Sequence, residues 1–159
     1  MAAGCAPQCD TLTVAPMPYR VVKIAGLQNS TRRAIALMDG DSCEANAAFL
    51  GLSGNHERNV RSRFDAWIDG QRNDNLFHGW PNLPDYKECW SFRWRESKVR
   101  CRLYGFLCNP RKSDPSFRVC VLTGYDRKTT EATDFTILDV ANRLRNDPHI
   151  TRLLESEYR

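Results

Sequence analysis

Basic side chains concentrate in one stretch of the sequence, from Lys87 to Lys128. This stretch holds eleven Lys or Arg and four Asp or Glu, a net charge of +7, whereas the whole chain carries +4. The positive charge is therefore clustered rather than scattered. A basic cluster of this kind is typical of proteins that bind a polyanion, most often nucleic acid. A solvated sheet face with ordinary charge alternation is the other interpretation of the same pattern.

The chemistry open to these side chains is phosphate binding combined with proton transfer. Guanidinium groups on neighbouring strands can clamp a phosphate with forked donors. Tyr, Lys or His side chains can move a proton where cationic neighbours depress their pKa. Together such groups fit metal-free RNA cleavage, in which a 2′-hydroxyl attacks the adjacent phosphate. The side chains of the right types are Arg93, Arg95, Lys98, Arg100, Arg102, Tyr125, Arg127 and Lys128. His78, in an aromatic loop, is a further candidate for the base, but a structural role is the favoured prediction.

Motifs for other chemistries are missing from the sequence. It contains no Gly-rich phosphate loop, HExxH or GxSxG pattern, so we expect no cofactor. The seven cysteines lack the paired spacing of zinc knuckles, so we expect free thiols and no metal site. No apolar run approaches the ~18 residues of a membrane span, and the N-terminus lacks a signal-peptide pattern. The sequence thus predicts a cytoplasmic protein without a membrane partner.

Hydrophobic alternation predicts that the arginines lie on a sheet. From Cys89 to Arg95, aromatic residues alternate with Ser and Arg in strict period two, which is typical of a half-buried strand. Two further strands, 99–108 and 117–123, complete an antiparallel meander. The last of these is nearly continuous in apolar character, so we expect it to be central. The aromatic face should pack on helices and leave the arginine face open.

The remaining elements are predicted from apolar periodicity and from helix-capping residues. They are a strand at 18–26, helices at 32–38, 43–50, 56–68, 134–146 and 150–157, and a loop at 71–86. The fold class is α+β: a small twisted antiparallel sheet of about four strands, N-terminal helices on one face and a C-terminal helix. Residues 1–17 are predicted to be a flexible tail and residues 18–159 a single domain.

The run from about residue 53 to 146 resembles the RelE/HigB-type toxins of bacterial and phage toxin–antitoxin systems, especially their phage-derived branch. Four motifs in the family's order carry the resemblance: Ser91-Phe92-Arg93, Arg100 to Phe106, Leu122 to Lys128, and Thr133-Asp134 before a helix with Ala141 and Arg143. The family has Glu-Leu-Arg where this chain has Ser-Phe-Arg. It also has a lysine at the position of Arg127, and Thr-Pro in place of Thr-Asp.

The resemblance implies a RelE/ParE-like fold and a ribosome-dependent mRNA endoribonuclease. A cognate antitoxin protein would neutralise it by covering the basic face. The resemblance assigns phosphate clamping to Arg93 and Arg102, and proton transfer or leaving-group stabilisation to Tyr125 and Lys128. RNA-backbone contacts fall to Arg95, Lys98, Arg100 and Arg127. Two other hypotheses stay open: a non-catalytic RNA- or ribosome-binding module, and a phage-type inhibitor whose basic face covers an acidic partner protein.

Overall fold

A computed structural model describes residues 19–159 of the chain. The predicted flexible tail, 1–17, lies outside these residues, as do Cys5 and Cys9. The strands are β1 (Tyr19–Lys23), β2 (Arg33–Gly40), β3 (Phe77–Gly79), β4 (Cys89–Glu96), β5 (Val99–Cys108) and β6 (Arg118–Lys128). The helices are α1 (Ala45–Leu50), α2 (Gly54–Ile68), α3 (Phe135–Arg145) and α4 (Pro148–Glu157). No helix within 19–159 is both long and apolar enough to span a membrane.

The strands form one six-stranded sheet in the order β1-β2-β6-β5-β4-β3. Strands β4, β5 and β6 are an antiparallel meander, as predicted, and β6 lies inside the sheet. The α+β class is confirmed. The prediction of about four antiparallel strands is wrong in two respects, because the sheet has six strands and β2 pairs with β6 in parallel.

Two predictions for the N-terminal half are corrected by the structure. Residues 32–38, predicted to be helical, lie largely in β2. Ala, Leu and Met favour helices, but the segment from Ala34 to Met38 is buried throughout, between β1 and β6 and beneath helices on both faces. Burial on both faces therefore outweighs the helix propensity of these residues. The predicted loop 71–86 contains the short edge strand β3.

The sheet has a hydrophobic core on each face. Helices α1 and α2 pack on one face through residues such as Phe49, Phe64 and Trp67, against the aromatic side of β4. Helices α3 and α4 pack on the other through residues such as Leu138 and Ile150. The expectation of an open arginine face is therefore wrong for most of its area. Only the end of that face formed by the β4–β5 turn keeps exposed basic side chains.

Two glycines allow close packing around β6. A Cβ atom on Gly105 would collide with the Val121 carbonyl group, and one on Gly124 with Cγ2 of Ile137 in α3. The register of β5 against β6 shifts between Tyr104 and Gly105. Beyond this bulge β6 continues to Lys128, past the predicted end at Thr123. The shift moves each β6 side chain after Gly124 to the face opposite to the one that uninterrupted alternation would give it.

Candidate functional site

Five arginines line a cleft of about 640 Å³ at the β4–β5 end of the sheet. They are Arg63, Arg93, Arg95, Arg100 and Arg102. Among the described residues that line this cleft, Glu131 is the only acid. Such an excess of guanidinium groups in a concave site focuses a positive potential on any anion that enters it.

The β4–β5 hairpin brings four of these arginines together. Its register places Arg93 opposite Arg102 and Arg95 opposite Arg100. Directly opposed residues of an antiparallel pair point to the same face of the sheet. A two-residue turn closes the hairpin, with Ser97 in the left-handed region at φ 59°. The arginines that alternate with aromatic residues in the sequence therefore lie together in one basic cluster.

Arg102 is buried and donates three hydrogen bonds within the protein. Its Nη2 donates to the Glu131 carbonyl at 2.8 Å, and its Nη1 donates to the Ala132 carbonyl and to the Tyr104 hydroxyl at 3.2 Å each. The Tyr104 hydroxyl in turn donates to Asp126 at 3.4 Å. Arg102 therefore anchors the segment from 129 to 134 to the sheet, while its charge still adds to the potential of the cleft.

Glu131 pairs with the cluster through its side chain as well. Its carboxylate forms an ion pair with Arg100. The Glu131 side chain is otherwise 77% exposed to solvent. Because this carboxylate is exposed to solvent, a phosphate oxygen can replace it on the Arg100 guanidinium.

Arg93 carries an unsatisfied donor inside the cleft. Its Nε is buried and has no hydrogen-bond partner among the described residues. Its backbone carbonyl accepts from Nε of Arg63, which reaches the cleft from α2. Burial, followed by the charge of Arg102, lowers the pKa of Arg93. A bound anion would relieve both penalties.

His78 lies within reach of the charges of this cluster without lining the cleft, and sequence analysis weighed it as a base but favoured a structural role. In β3 it pairs with Ser91 of β4, and its Nδ1 lies 3.4 Å from the Ser91 hydroxyl. Burial, and then the charge of Arg93, lowers the pKa of His78 to about 4. The imidazole is therefore neutral at neutral pH and can accept a proton. The alternation in Phe77-His78-Gly79-Trp80 was the available sequence signal for a strand here.

Tyr125 and Arg127 lie on the face of the sheet opposite to the paired arginines of β4 and β5, and neither residue lines the cleft. The Tyr125 ring stacks on Trp94 with centroids 6.1 Å apart, and its hydroxyl donates to the Cys101 sulfur at 3.7 Å. Burial raises the pKa of the Tyr125 phenol. Arg127 pairs with Glu96 at 3.6 Å. The shifted register beyond Gly124 is the reason that these side chains do not join the arginine cluster.

The two lysines proposed for the site lie at its margins. Lys98 is exposed in the hairpin turn. Lys128 lies opposite Arg100, but its ammonium group pairs with Asp126 at 3.4 Å and with Asp134 at 3.6 Å. Desolvation lowers the pKa of Lys128, but the two carboxylates outweigh it and raise the pKa overall. Lys128 is therefore held as a charged group.

Neither a metal site nor a comparison with known proteins assigns a function to these residues. Within residues 19–159, no three His, Cys, Asp or Glu side chains are grouped in a way that could hold a metal ion. No protein-family model, no curated protein and no solved structure matches this chain.

Proposed function

We propose that the arginine cleft binds the phosphate backbone of RNA, and that the protein is a ribosome-dependent mRNA endoribonuclease. The observation that carries the proposal is the cluster of five arginines around a cleft with a single lining carboxylate. Arginine is the side chain best suited to binding a phosphate through two parallel hydrogen bonds. A cognate antitoxin protein, presenting acidic side chains to the same face, would compete with the RNA.

The cleft offers groups for each charge that develops during 2′-hydroxyl attack. Arg93 and Arg100 are available to neutralise the pentacoordinate phosphate, because neither is fully engaged by carbonyl groups. Arg102 would position the segment that carries Glu131 and add electrostatic stabilisation. The neutral imidazole of His78, which feels the charges of Arg93 and Arg102, is the candidate for the base that accepts the 2′-hydroxyl proton. Tyr125, facing the other core, is a weaker candidate for this step than the family resemblance suggests.

Non-catalytic RNA or ribosome binding is the second candidate function. The placement of Tyr125 favours it, because its ring stacks on Trp94 and its hydroxyl donates to Cys101, which holds the phenol against the core instead of among the guanidinium groups. Such a binder would keep the affinity that the cleft supplies and would leave the message intact. The two candidates therefore differ in the fate of the RNA and agree on where it binds.

Inducible expression in a bacterial host, with mapped mRNA 5′ ends, separates the two candidates. Arg93→Gln tests the cleft, because this residue has unused donors and holds no loop in place. Arg152→Gln is the matched control, since Arg152 is an exposed arginine of α4 on another part of the chain. The enzyme hypothesis predicts growth arrest and new ends within translated messages for the wild type and for Arg152→Gln, and the loss of both effects in Arg93→Gln.

Other outcomes assign the protein differently. Intact messages together with RNA that copurifies with the wild type and not with Arg93→Gln would support the binding module. Intact messages and no copurifying RNA, at good expression, would refute both candidates and favour an inhibitor that acts on one partner protein.

A further inference from the structure

A second concave site lies at the other end of the sheet. It is a cavity of about 430 Å³ between the C-terminal end of α2, the 70–74 segment and the ends of β2 and β6. Its lining includes Arg33 and Arg118, which are the first residues of β2 and β6. No described residue lines both this cavity and the arginine cleft. The two sites are therefore separate.

The entrance to this cavity is cationic. Arg33 and Arg118 are direct partners across the parallel β2–β6 pair, so two like charges lie side by side. Burial, and then the charge of Arg118, lowers the pKa of Arg33. Arg118 has one carboxylate neighbour, Glu88, at 3.7 Å. An anion held between the two guanidinium groups would relieve their repulsion.

Arg33 is fixed in place before any ligand arrives. Its Nη1 donates to the Trp67 carbonyl at 2.7 Å, near the end of α2. Its guanidinium also lies over the Trp67 ring, 4.9 Å from the centroid. A side chain held by both contacts loses little conformational entropy when it binds an anion.

The floor of the cavity is aromatic. Trp90 lies beside Phe77, with ring centroids 6.0 Å apart, and is partly exposed. Its Nε1 is buried and has no hydrogen-bond partner within the described chain. The space continues past Trp90 into a neighbouring cavity of about 520 Å³ that also includes Arg118 and reaches Lys87. The two cavities together form an elongated groove, with Arg33 and Arg118 at its cationic end and Trp90 as its aromatic floor.

We propose that this groove is a nucleotide-binding site, with the phosphate between Arg33 and Arg118 and the base against Trp90. Aromatic side chains bind bases of any sequence by stacking, and guanidinium pairs bind phosphate. The volume falls within the range of small-ligand pockets. The side-chain amides of Gln71 and Asn73, which also line the cavity, can bond to the edge of a base. The nucleotide is either free or part of an RNA strand. The site does not depend on the cleft, so it stands if the proposed endoribonuclease function fails.

Titration of the full-length protein by calorimetry tests the site directly. The probes are a nucleoside 5′-monophosphate, the matching nucleoside and inorganic phosphate. We expect saturable binding of the monophosphate, at least tenfold weaker in Arg118→Gln and unchanged in Arg152→Gln. Arg118 has a half-exposed side chain, so its loss should not unfold the protein. Trp90→Phe retains a ring and lacks the N–H donor, and should also weaken binding.

Several results would contradict the proposed nucleotide site. They are the absence of saturable monophosphate binding at millimolar concentration, inorganic phosphate binding as tightly as the monophosphate, or full affinity in Arg118→Gln. A loss in Arg93→Gln equal to that in Arg118→Gln would also overturn it, because the ligand would then be in the cleft. A short RNA oligomer distinguishes the sources. The oligomer is titrated into Arg93→Gln, which weakens the cleft. Tighter binding of the oligomer than of the monophosphate, lost when Arg118→Gln is added, indicates an RNA strand, and equal binding indicates a free nucleotide.

Discussion

Removing one exposed arginine from the cleft should change the salt dependence of RNA binding by a calculable amount. Arg102 is bonded to two carbonyl groups and Arg63 to the Arg93 and Asn59 carbonyls. Three guanidinium groups, those of Arg93, Arg95 and Arg100, therefore remain for phosphate contacts. Each contact with a single strand adds about −0.7 to the slope of log affinity against log salt concentration.

Three contacts give a slope of about −2, so the affinity should fall roughly 20-fold between about 50 and 200 mM monovalent salt. Arg95→Gln removes one contact, so its slope should be about −1.4 and the fall roughly sevenfold. Fluorescence anisotropy with a labelled short RNA, repeated across this salt range, measures both slopes. Arg152→Gln should retain the wild-type slope. A wild-type slope near zero, or the same slope in Arg95→Gln as in the wild type, would refute phosphate binding by these arginines.

Three further predictions concern the segment over the cleft, the packing of α3 and the acid response. Glu131→Gln removes the carboxylate that competes for Arg100, so RNA affinity measured by anisotropy should rise about two- to fivefold, the worth of an exposed ion pair. Gly124→Ala would force a methyl group against Ile137, so urea unfolding should show a loss of about 1–3 kcal/mol. Burial lowers the pKa of His78 to about 4 from an ordinary 6.5, so the unfolded chain takes up this proton first as the pH falls. As the pH falls from 6.5 to about 4, the free energy of unfolding should therefore decrease by about 1–2 kcal/mol after solvent screening. In His78→Gln this decrease should be smaller.

Each of these outcomes has a clear opposite. Unchanged or weaker RNA binding by Glu131→Gln would mean that its carboxylate does not occupy a phosphate position. Wild-type stability of Gly124→Ala would mean that α3 can move away from β6 at little cost. An equal loss of stability in acid for His78→Gln and the wild type would assign the acid response to other groups.

The central part of the fold could be predicted from the sequence because its pattern is local. Strict alternation from Cys89 to Arg95 indicates both the strand and the face that carries the arginines. The N-cap at Asp134 is likewise a local feature, and its side chain does accept from the Thr136 amide at 3.0 Å. Where one short window holds the determining residues, sequence analysis succeeds.

The predictions that were wrong concern residues whose structure depends on contacts between segments distant in the sequence. The burial that makes residues 33–40 a strand comes from β6 and from helices on both faces, which no local window contains. The bulge at Gly105 likewise depends on the close approach of Val121. Because the bulge changes the faces of the later β6 residues, Tyr125 could not be placed from sequence alone. The role of Glu131 was hidden for the same reason, since its partner lies thirty-one positions earlier in the chain, at Arg100.

Ultraviolet cross-linking of a labelled single-stranded RNA to the intact protein, followed by peptide mapping, tests the central claim most directly. The account predicts cross-links within β4 and β5, between Arg93 and Arg102, and their loss in Arg93→Gln. Cross-links confined to β1 or α4, or an unchanged pattern in Arg93→Gln, would contradict it, because the arginine cleft would then not be where RNA binds.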